Sequence, residues 1–353
     1  MASTKTQVPK SDIDLLSDET PKALPPIGPP ITHCNIPKEN PSLTADIRYK
    51  GTSPPPCSAN MHGEVEILKS GVEATHWFVE ANGITWHFVT AGNAKNQPVL
   101  FLHGLPESWF AFHNQMSALS EDYYVIAFDS LGYGQSDKRL NIDYRNTSLA
   151  SNFTALLDTI GIHKFNIVAH DRGAVLVDYL TEFDGMQDRI LTYVRMQQSA
   201  NEPHGEPKPP HEMFASPMGV KLFQSEGALF PYHKSSGFVR EDIPMDEFER
   251  TLHEFTYEGV AEAVSQYFKT TNFEIELEDR HNRLFKTMSM PILFLQGRYD
   301  PGQHPSEYEN TPDFVANGQV QFLEASHFPH METPDLVTDA IREFLTTAHF
   351  NTL

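Results

Sequence analysis

Asp171 lies in the stretch Phe165-Asn166-Ile167-Val168-Ala169-His170-Asp171-Arg172-Gly173-Ala174, where an apolar run meets small-x-Asp-x-small, with Ala169 and Gly173 in the small places. Phe165 to Ala169 predicts a fully buried strand, and Ala174 to Leu180 continues with apolar residues at helical spacing. A strand that turns sharply into a helix strains the apex residue and lets the two backbones pass only if the neighbours are small. The apex side chain then stands at the C-terminal edge of the sheet. A carboxylate placed there attacks carbon without first losing a proton, and its product is an alkyl-enzyme ester. Taken alone, His-Asp-Arg-Gly also fits a solvated turn whose Asp caps the helix.

Two further stretches favour the chemical reading. Pro98 to Leu102 is another buried-strand pattern, and it ends in His103-Gly104-Leu105-Pro106-Glu107-Ser108-Trp109. Near the other end, Ala325-Ser326-His327-Phe328-Pro329-His330 is a His-containing loop ahead of an amphipathic helix, and Gln296-Gly297-Arg298-Tyr299-Asp300-Pro301 supplies a carboxylate between them. His327 is the expected base that activates water against the ester, with His330 the second choice. Asp300 is expected to orient and charge the imidazole, and general-base help of this kind is worth ~10²–10⁴ in rate.

The order nucleophile, acid, His, preceded by His-Gly-x-Pro, resembles the α/β-hydrolase superfamily from roughly Glu64 to the C-terminus. An Asp apex together with His-Gly-Leu-Pro-Glu-Ser-Trp is similar to the branch holding epoxide hydrolases and the haloalkane and fluoroacetate dehalogenases. The resemblance implies an oxyanion hole from the backbone N–H groups of Leu105 and Arg172, donors that also keep Asp171 ionised. It places His103 as a brace for the Leu105 loop, and Trp109 either along the pocket or in packing. Epoxide hydrolases use two cap tyrosines as proton donors: Tyr267 resembles the second, whereas Met218 and Gly219 stand where the first is expected, leaving Tyr232 or Tyr257 as substitutes. Haloalkane dehalogenases place Trp after the nucleophile, where this chain has Arg172. Fluoroacetate dehalogenases carry a second Arg three residues on, and here Val175 stands there. The implied activity is epoxide hydrolysis to a vicinal diol, with a haloacid dehalogenase, or a non-hydrolytic cyclase or ligand receptor on the same fold, as alternatives. No cofactor and no metal are expected.

The elements that must position these groups follow from pattern. Val65 to Thr90 predicts antiparallel strands, and Val99 to His103 the first parallel one. Tyr124 to Asp129 predicts the next strand, and Asp129 is expected to hold the Gly132-Tyr133-Gly134 loop through backbone N–H groups. Ile190 to Val194 is a further strand. Helical segments at Gly219 to Gln224 and Met245 to Phe268 interrupt the sheet, which resumes at Pro291 to Leu295 and closes with Gln319 to Leu323 and a helix over Leu336 to Phe344. The expected fold is therefore α/β, a mostly parallel sheet flanked by helices with a helical cap inserted after the sixth strand. A Pro-rich arm covers 1–62, the core 63–199 and 287–353, and the cap 200–286.

The whole chain has 353 residues with 26 Lys and Arg against 47 Asp and Glu, a net charge of −21. Nucleic acid and anionic membrane surfaces would be repelled, so the expected partner is a small-molecule substrate. No apolar run approaches the ~20 residues of a membrane span and no signal peptide is visible, which makes a cytoplasmic enzyme the expectation. Cys34 and Cys57 both precede the recognisable domain, and two thiols without clustered His or Cys make a poor metal site. The arm leaves open whether it wraps the domain or contacts a second copy in a homodimer.

Overall fold

The computed structural model describes residues 62–198, 209–238, 243–308, 311 and 315–350. The expected arm, with both cysteines, lies outside the described residues apart from its last position. Among the described residues a nine-stranded sheet forms in the order β1-β2-β3-β5-β4-β6-β7-β8-β9. These are β1 (Val65–Ile67), β2 (Glu73–Ala81), β3 (Ile84–Ala91), β4 (Pro98–Leu102), β5 (Tyr124–Phe128), β6 (Phe165–His170), β7 (Ile190–Met196), β8 (Ile292–Gly297) and β9 (Gly318–Leu323). β1, β2, β3 and β5 pair antiparallel in turn, and β4 to β9 pair parallel. Asn82 and Gly83 join β2 to β3 with positive φ at both residues (52° and 70°), which sets the right-handed twist a two-residue hairpin needs.

The central strands are apolar throughout because both sheet faces are covered. Val99, Phe101, Val168 and Val194 pack under the helices His113–Leu119 and Pro334–Phe350, while Leu100, Leu102, Ile167 and Ala169 face Asn146–Thr159 and Arg172–Leu180. Successive residues of one strand thus feed two different cores, the period-two geometry of a pleated strand.

Between β7 and β8 the chain forms helices Pro209–Phe214, Pro217–Phe223, Glu226–Ser235, Met245–Phe255, Val260–Thr270 and Phe273–Asp279. The insertion follows the seventh strand and not the sixth, because the three-residue β1 adds an edge strand too short to stand out in sequence. The continuous helix expected over Met245 to Phe268 is two helices, broken where Gly259 takes φ +88° ahead of Val260. No described helix is long and apolar enough to cross a membrane.

Below the site, Arg195 on β7 donates to both carboxylate oxygens of Asp178 at 3.0 and 2.7 Å, and Tyr193 donates to Asp178 at 3.1 Å. Arg195 also donates to the backbone oxygen of Gln198. All of this is buried, and removing one partner of a buried ion pair leaves the other uncompensated, at a cost of about 3–5 kcal/mol. Asp178→Ala is expected to lower unfolding stability by that amount, read as a shift of the urea midpoint at unchanged m-value.

Candidate active site

Asp171 adopts φ 48° and ψ −119°, a conformation that costs a non-glycine residue on the order of 1–3 kcal/mol. Its backbone is tied on both sides, N–H to Met196 O at 3.1 Å and C=O to the Ala174 N–H at 3.0 Å. Two glycines make this turn possible. A Cβ on Gly173 would stand 2.5 Å from Leu102 O, and a Cβ on Gly104 would stand 2.7 Å from Asp171 Oδ1. Only a bare backbone fits at either place.

The carboxylate so presented is gripped at both oxygens. Leu105 N–H donates to Oδ1 at 3.0 Å, and the Gln198 side-chain amide donates to Oδ2 at 2.7 Å. His327 Nε2 lies 3.9 Å from the same Oδ2, and its Nδ1 donates to Asp300 Oδ2 at 2.8 Å. The structure thus brings Asp171, His327, Asp300 and the Leu105 amide together. The helix opens at Arg172, directly after Asp171, and the Asp171 side chain accepts no capping hydrogen bond from it.

Charge follows from this geometry. Burial alone would push the Asp171 carboxyl up, but the charges of His327, His170 and Arg172 and the Leu105 N–H hold it below its usual range. Burial would likewise depress the His327 imidazolium, yet Asp300, in contact with it, and Asp171 beyond raise it to about 9. At neutral pH the His327 imidazolium thus stands between the Asp171 carboxylate and Asp300.

Second contacts hold this row in place. Asp300 Oδ2 accepts from Gln197 Nε2 at 2.6 Å and Oδ1 from the Gly302 N–H at 2.7 Å. Gln197, at φ 50°, also accepts from the Gly297 N–H at 2.6 Å and donates to Ser326 O at 3.1 Å, tying β7, β8 and the His327 loop to one amide. Glu107 accepts from the Gly104 N–H at 2.9 Å, from His170 Nδ1 at 2.6 Å and from His330 Nε2 at 2.7 Å. His170 Nε2 in turn donates to His327 O at 2.7 Å. Glu107, His170 and His330 bring ligand atoms within 4.8 Å of one another, a spacing a metal ion would accept, but these hydrogen bonds already occupy the carboxylate and both His170 nitrogens. His330, the second choice for the base, belongs to this brace; burial presses its pKa to about 4.

Other expected residues sit elsewhere. His103 donates from Nδ1 to Gly104 O at 2.8 Å and accepts the Ser130 N–H at 3.1 Å, so it braces the loop and offers no proton to Asp171. Asp129 accepts from the N–H groups of Trp109 and Gln135 at 2.9 and 2.8 Å, the loop-holding role read from sequence. Trp109 is fully buried in the core, with the Arg250 guanidinium 5.4 Å from its ring, and takes no part in the pocket. Tyr257 is buried beside His253, and Tyr232 is half-buried against Phe214 and His233.

Tyr267 differs most from expectation. Its hydroxyl accepts from Arg172 Nε at 2.6 Å and donates to Asn146 at 3.3 Å, so its proton is committed to the protein. Arg172 is equally committed, with Nη1 and Nη2 on Glu276 at 3.0 and 2.5 Å. Both border a small recess beside the elbow, shared with His103, Tyr133 and Asn146. Sequence reasoning missed Gln197 and Gln198. The available signal was their position, polar residues just past the C-terminal end of a buried parallel strand, where such sheets bind ligands.

The sequence profile of the alpha/beta hydrolase fold matches residues 97–334. A 105-residue stretch is 32% identical to epoxide hydrolase 4 of Mus musculus, covering 29% of each chain. A 107-residue stretch is 35% identical to a soluble epoxide hydrolase of Corynebacterium sp., covering 30% of this chain and 36% of the relative, so the matched stretches span about a third of those proteins. The crystal structure of epoxide hydrolase VrEH1 from Vigna radiata superposes with a TM-score of 0.59 at 22% identity, covering 78% of this chain and 98% of that one.

Because His327 is held up partly by the charge on Asp171, neutralising that charge must lower its pKa. In Asp171→Asn the His327 ring proton signal is expected to titrate below the parent's value of about 9 in a pH series by NMR; an unchanged midpoint would show that the two groups are not coupled. The stability sign follows as well. The folded protein binds this proton more tightly than the unfolded imidazole at 6.5, so the contribution is full below pH 6.5 and is lost as pH rises through about 9.

The profile match over two thirds of the sequence, together with the sheet order and the strand-to-helix turn at Asp171, establishes that this chain belongs to the α/β-hydrolase fold family.

Proposed function

We propose that the protein is a cofactor-independent hydrolase that opens epoxides to vicinal diols through an ester on Asp171, with the helical insertion as the cap over that site. The observation that carries this is the carboxylate at a strained turn, with one oxygen on the Leu105 amide and the other 3.9 Å from an imidazole that Asp300 holds. The epoxide hydrolases among the relatives support the same substrate class.

The steps follow from the charges. Asp171 Oδ2 attacks an epoxide carbon, the ring C–O bond breaks, and the alkoxide takes a proton. With the Tyr267 proton directed at Asn146, the neighbouring acid is the His327 imidazolium. Giving up that proton leaves His327 neutral, the form required of a base. Esterification also removes the Asp171 charge, which lowers the pKa of His327 toward neutrality. Water then attacks the ester carbonyl while His327 takes its proton, and the Leu105 and Arg172 N–H groups receive the oxyanion. Collapse expels the diol oxygen, which takes the proton left on the new carboxyl group; Asp171 returns as carboxylate and His327 as imidazolium. A haloacid substrate would need a guanidinium for its carboxylate, and Arg172 is already bound to Glu276 and Tyr267.

In ¹⁸O-water a single turnover of a terminal epoxide is expected to give diol without solvent label, because the first oxygen comes from Asp171; label in that first product would remove the ester route. Asp171→Asn is expected to lose turnover by at least 10³-fold. Because His327 acts first as acid and then as base, His327→Gln is expected to lose turnover and to accumulate no adduct heavier by the mass of the epoxide in intact-protein mass spectrometry; an accumulating adduct would show that another group protonates the alkoxide.

A further inference from the structure

His233 lies on the insertion helix Glu226–Ser235 and is 6% exposed. Its Nδ1 donates to Leu229 O at 2.8 Å, which fixes the tautomer and leaves Nε2 as a lone pair. Among the described residues nothing donates to that nitrogen. The ring is wedged between aromatic side chains, 6.1 Å from Phe328, 6.3 Å from Phe248, 6.4 Å from Phe238 and 5.2 Å from Tyr232. Two of these, Phe238 and Phe328, are also the rings set edge-on against His327, at 5.1 and 4.9 Å. His233 therefore hangs from the insertion above the catalytic imidazole, within an otherwise apolar box.

Burial, together with the positive charge of His327, pushes the His233 pKa down to about 4, so near neutral pH it only accepts a hydrogen bond at Nε2. An epoxide oxygen is itself only an acceptor and does not satisfy it. An acceptor that a bound ligand seals from water without giving it a donor costs free energy, and a site with such a group rejects ligands that cannot supply the donor. Resting on the proposed reaction at Asp171, we infer that His233 is a specificity-determining residue whose Nε2 accepts a hydrogen bond from a substrate hydroxyl, so that the favoured substrates are epoxides bearing a free alcohol, with their hydrocarbon part against Phe238, Phe248 and Phe328.

The test compares 3-phenylglycidol with its O-methyl ether, two epoxides that differ in one O–H donor. Wild-type kcat/KM is expected to favour the alcohol by about tenfold or more, the worth of one buried hydrogen bond. His233→Phe is expected to bring the ratio near one, and His233→Gln, whose side-chain oxygen still accepts, to keep part of the preference. The same pair is titrated calorimetrically into Asp171→Asn, which forms no ester, with the alcohol expected to bind more tightly. Turnover of both epoxides without preference, or equal loss on both in His233→Phe, overturns the assignment of His233 and leaves the Asp171 reaction standing. Absence of turnover with the alcohol still preferred by Asp171→Asn overturns the reaction and keeps the hydroxyl site. No turnover and no preference in binding overturns both.

Discussion

The close approach of two backbones at one turn is the constraint on which the rest of this molecule depends. Asp171 is held at positive φ between Gly104 and Gly173, each so near to neighbouring atoms that a single added carbon would collide. The strain of that turn is borne by the parallel strands β4, β6 and β7 on either side and by the backbone bonds to Met196 and Ala174. In return the carboxylate projects beyond the sheet edge with its direction fixed. A reactive group on a flexible loop would lose much of the orientation that such chemistry requires.

Around that turn, opposite charges are set side by side. Asp171 and Asp300 flank His327, and each carboxyl group is oriented by donors from the loops that follow β4, β7 and β8. Gln197 alone touches three segments of the chain, and the Glu107 cluster links the Gly104 loop to His170 and His330. These buried bonds are closed by partners within the protein, which is how a low-dielectric interior holds several charges without large cost. Arg195 and Asp178 extend the same logic below the site, reaching Gln198 and through it Asp171.

The helical insertion contributes a different chemistry. It sets the Phe238 ring edge-on against His327 and commits its own Tyr267 and Glu276 to Arg172. A group that looks like an acid in sequence is thereby converted into part of a polar clamp, while His233, which carries no such signature, is tied through Nδ1 to Leu229 and ringed by aromatic side chains. The difference lies in which partners reach each side chain after folding.

By itself the sequence determined the parts that depend on local rules. Continuous apolar runs require buried parallel strands, small residues on either side of Asp171 require a tight turn, and the order Asp171, Asp300, His327 with His103-Gly104 ahead of them marks the sheet edge where they meet. That the Val65 to Thr90 stretch divides into three strands was not legible because the three residues Val65–Ile67 carry too little periodicity, nor was the break at Gly259, because one glycine within a helical pattern reads as tolerated. What only the tertiary structure decided is pairing at long range: that Tyr267 gives its proton to Asn146, that Arg172 is held by Glu276, that Gln198 grips Asp171 and that Trp109 belongs to the core. A hydrogen bond depends on where two chain-distant atoms finish in space, and no property of either residue's own neighbourhood records that separation.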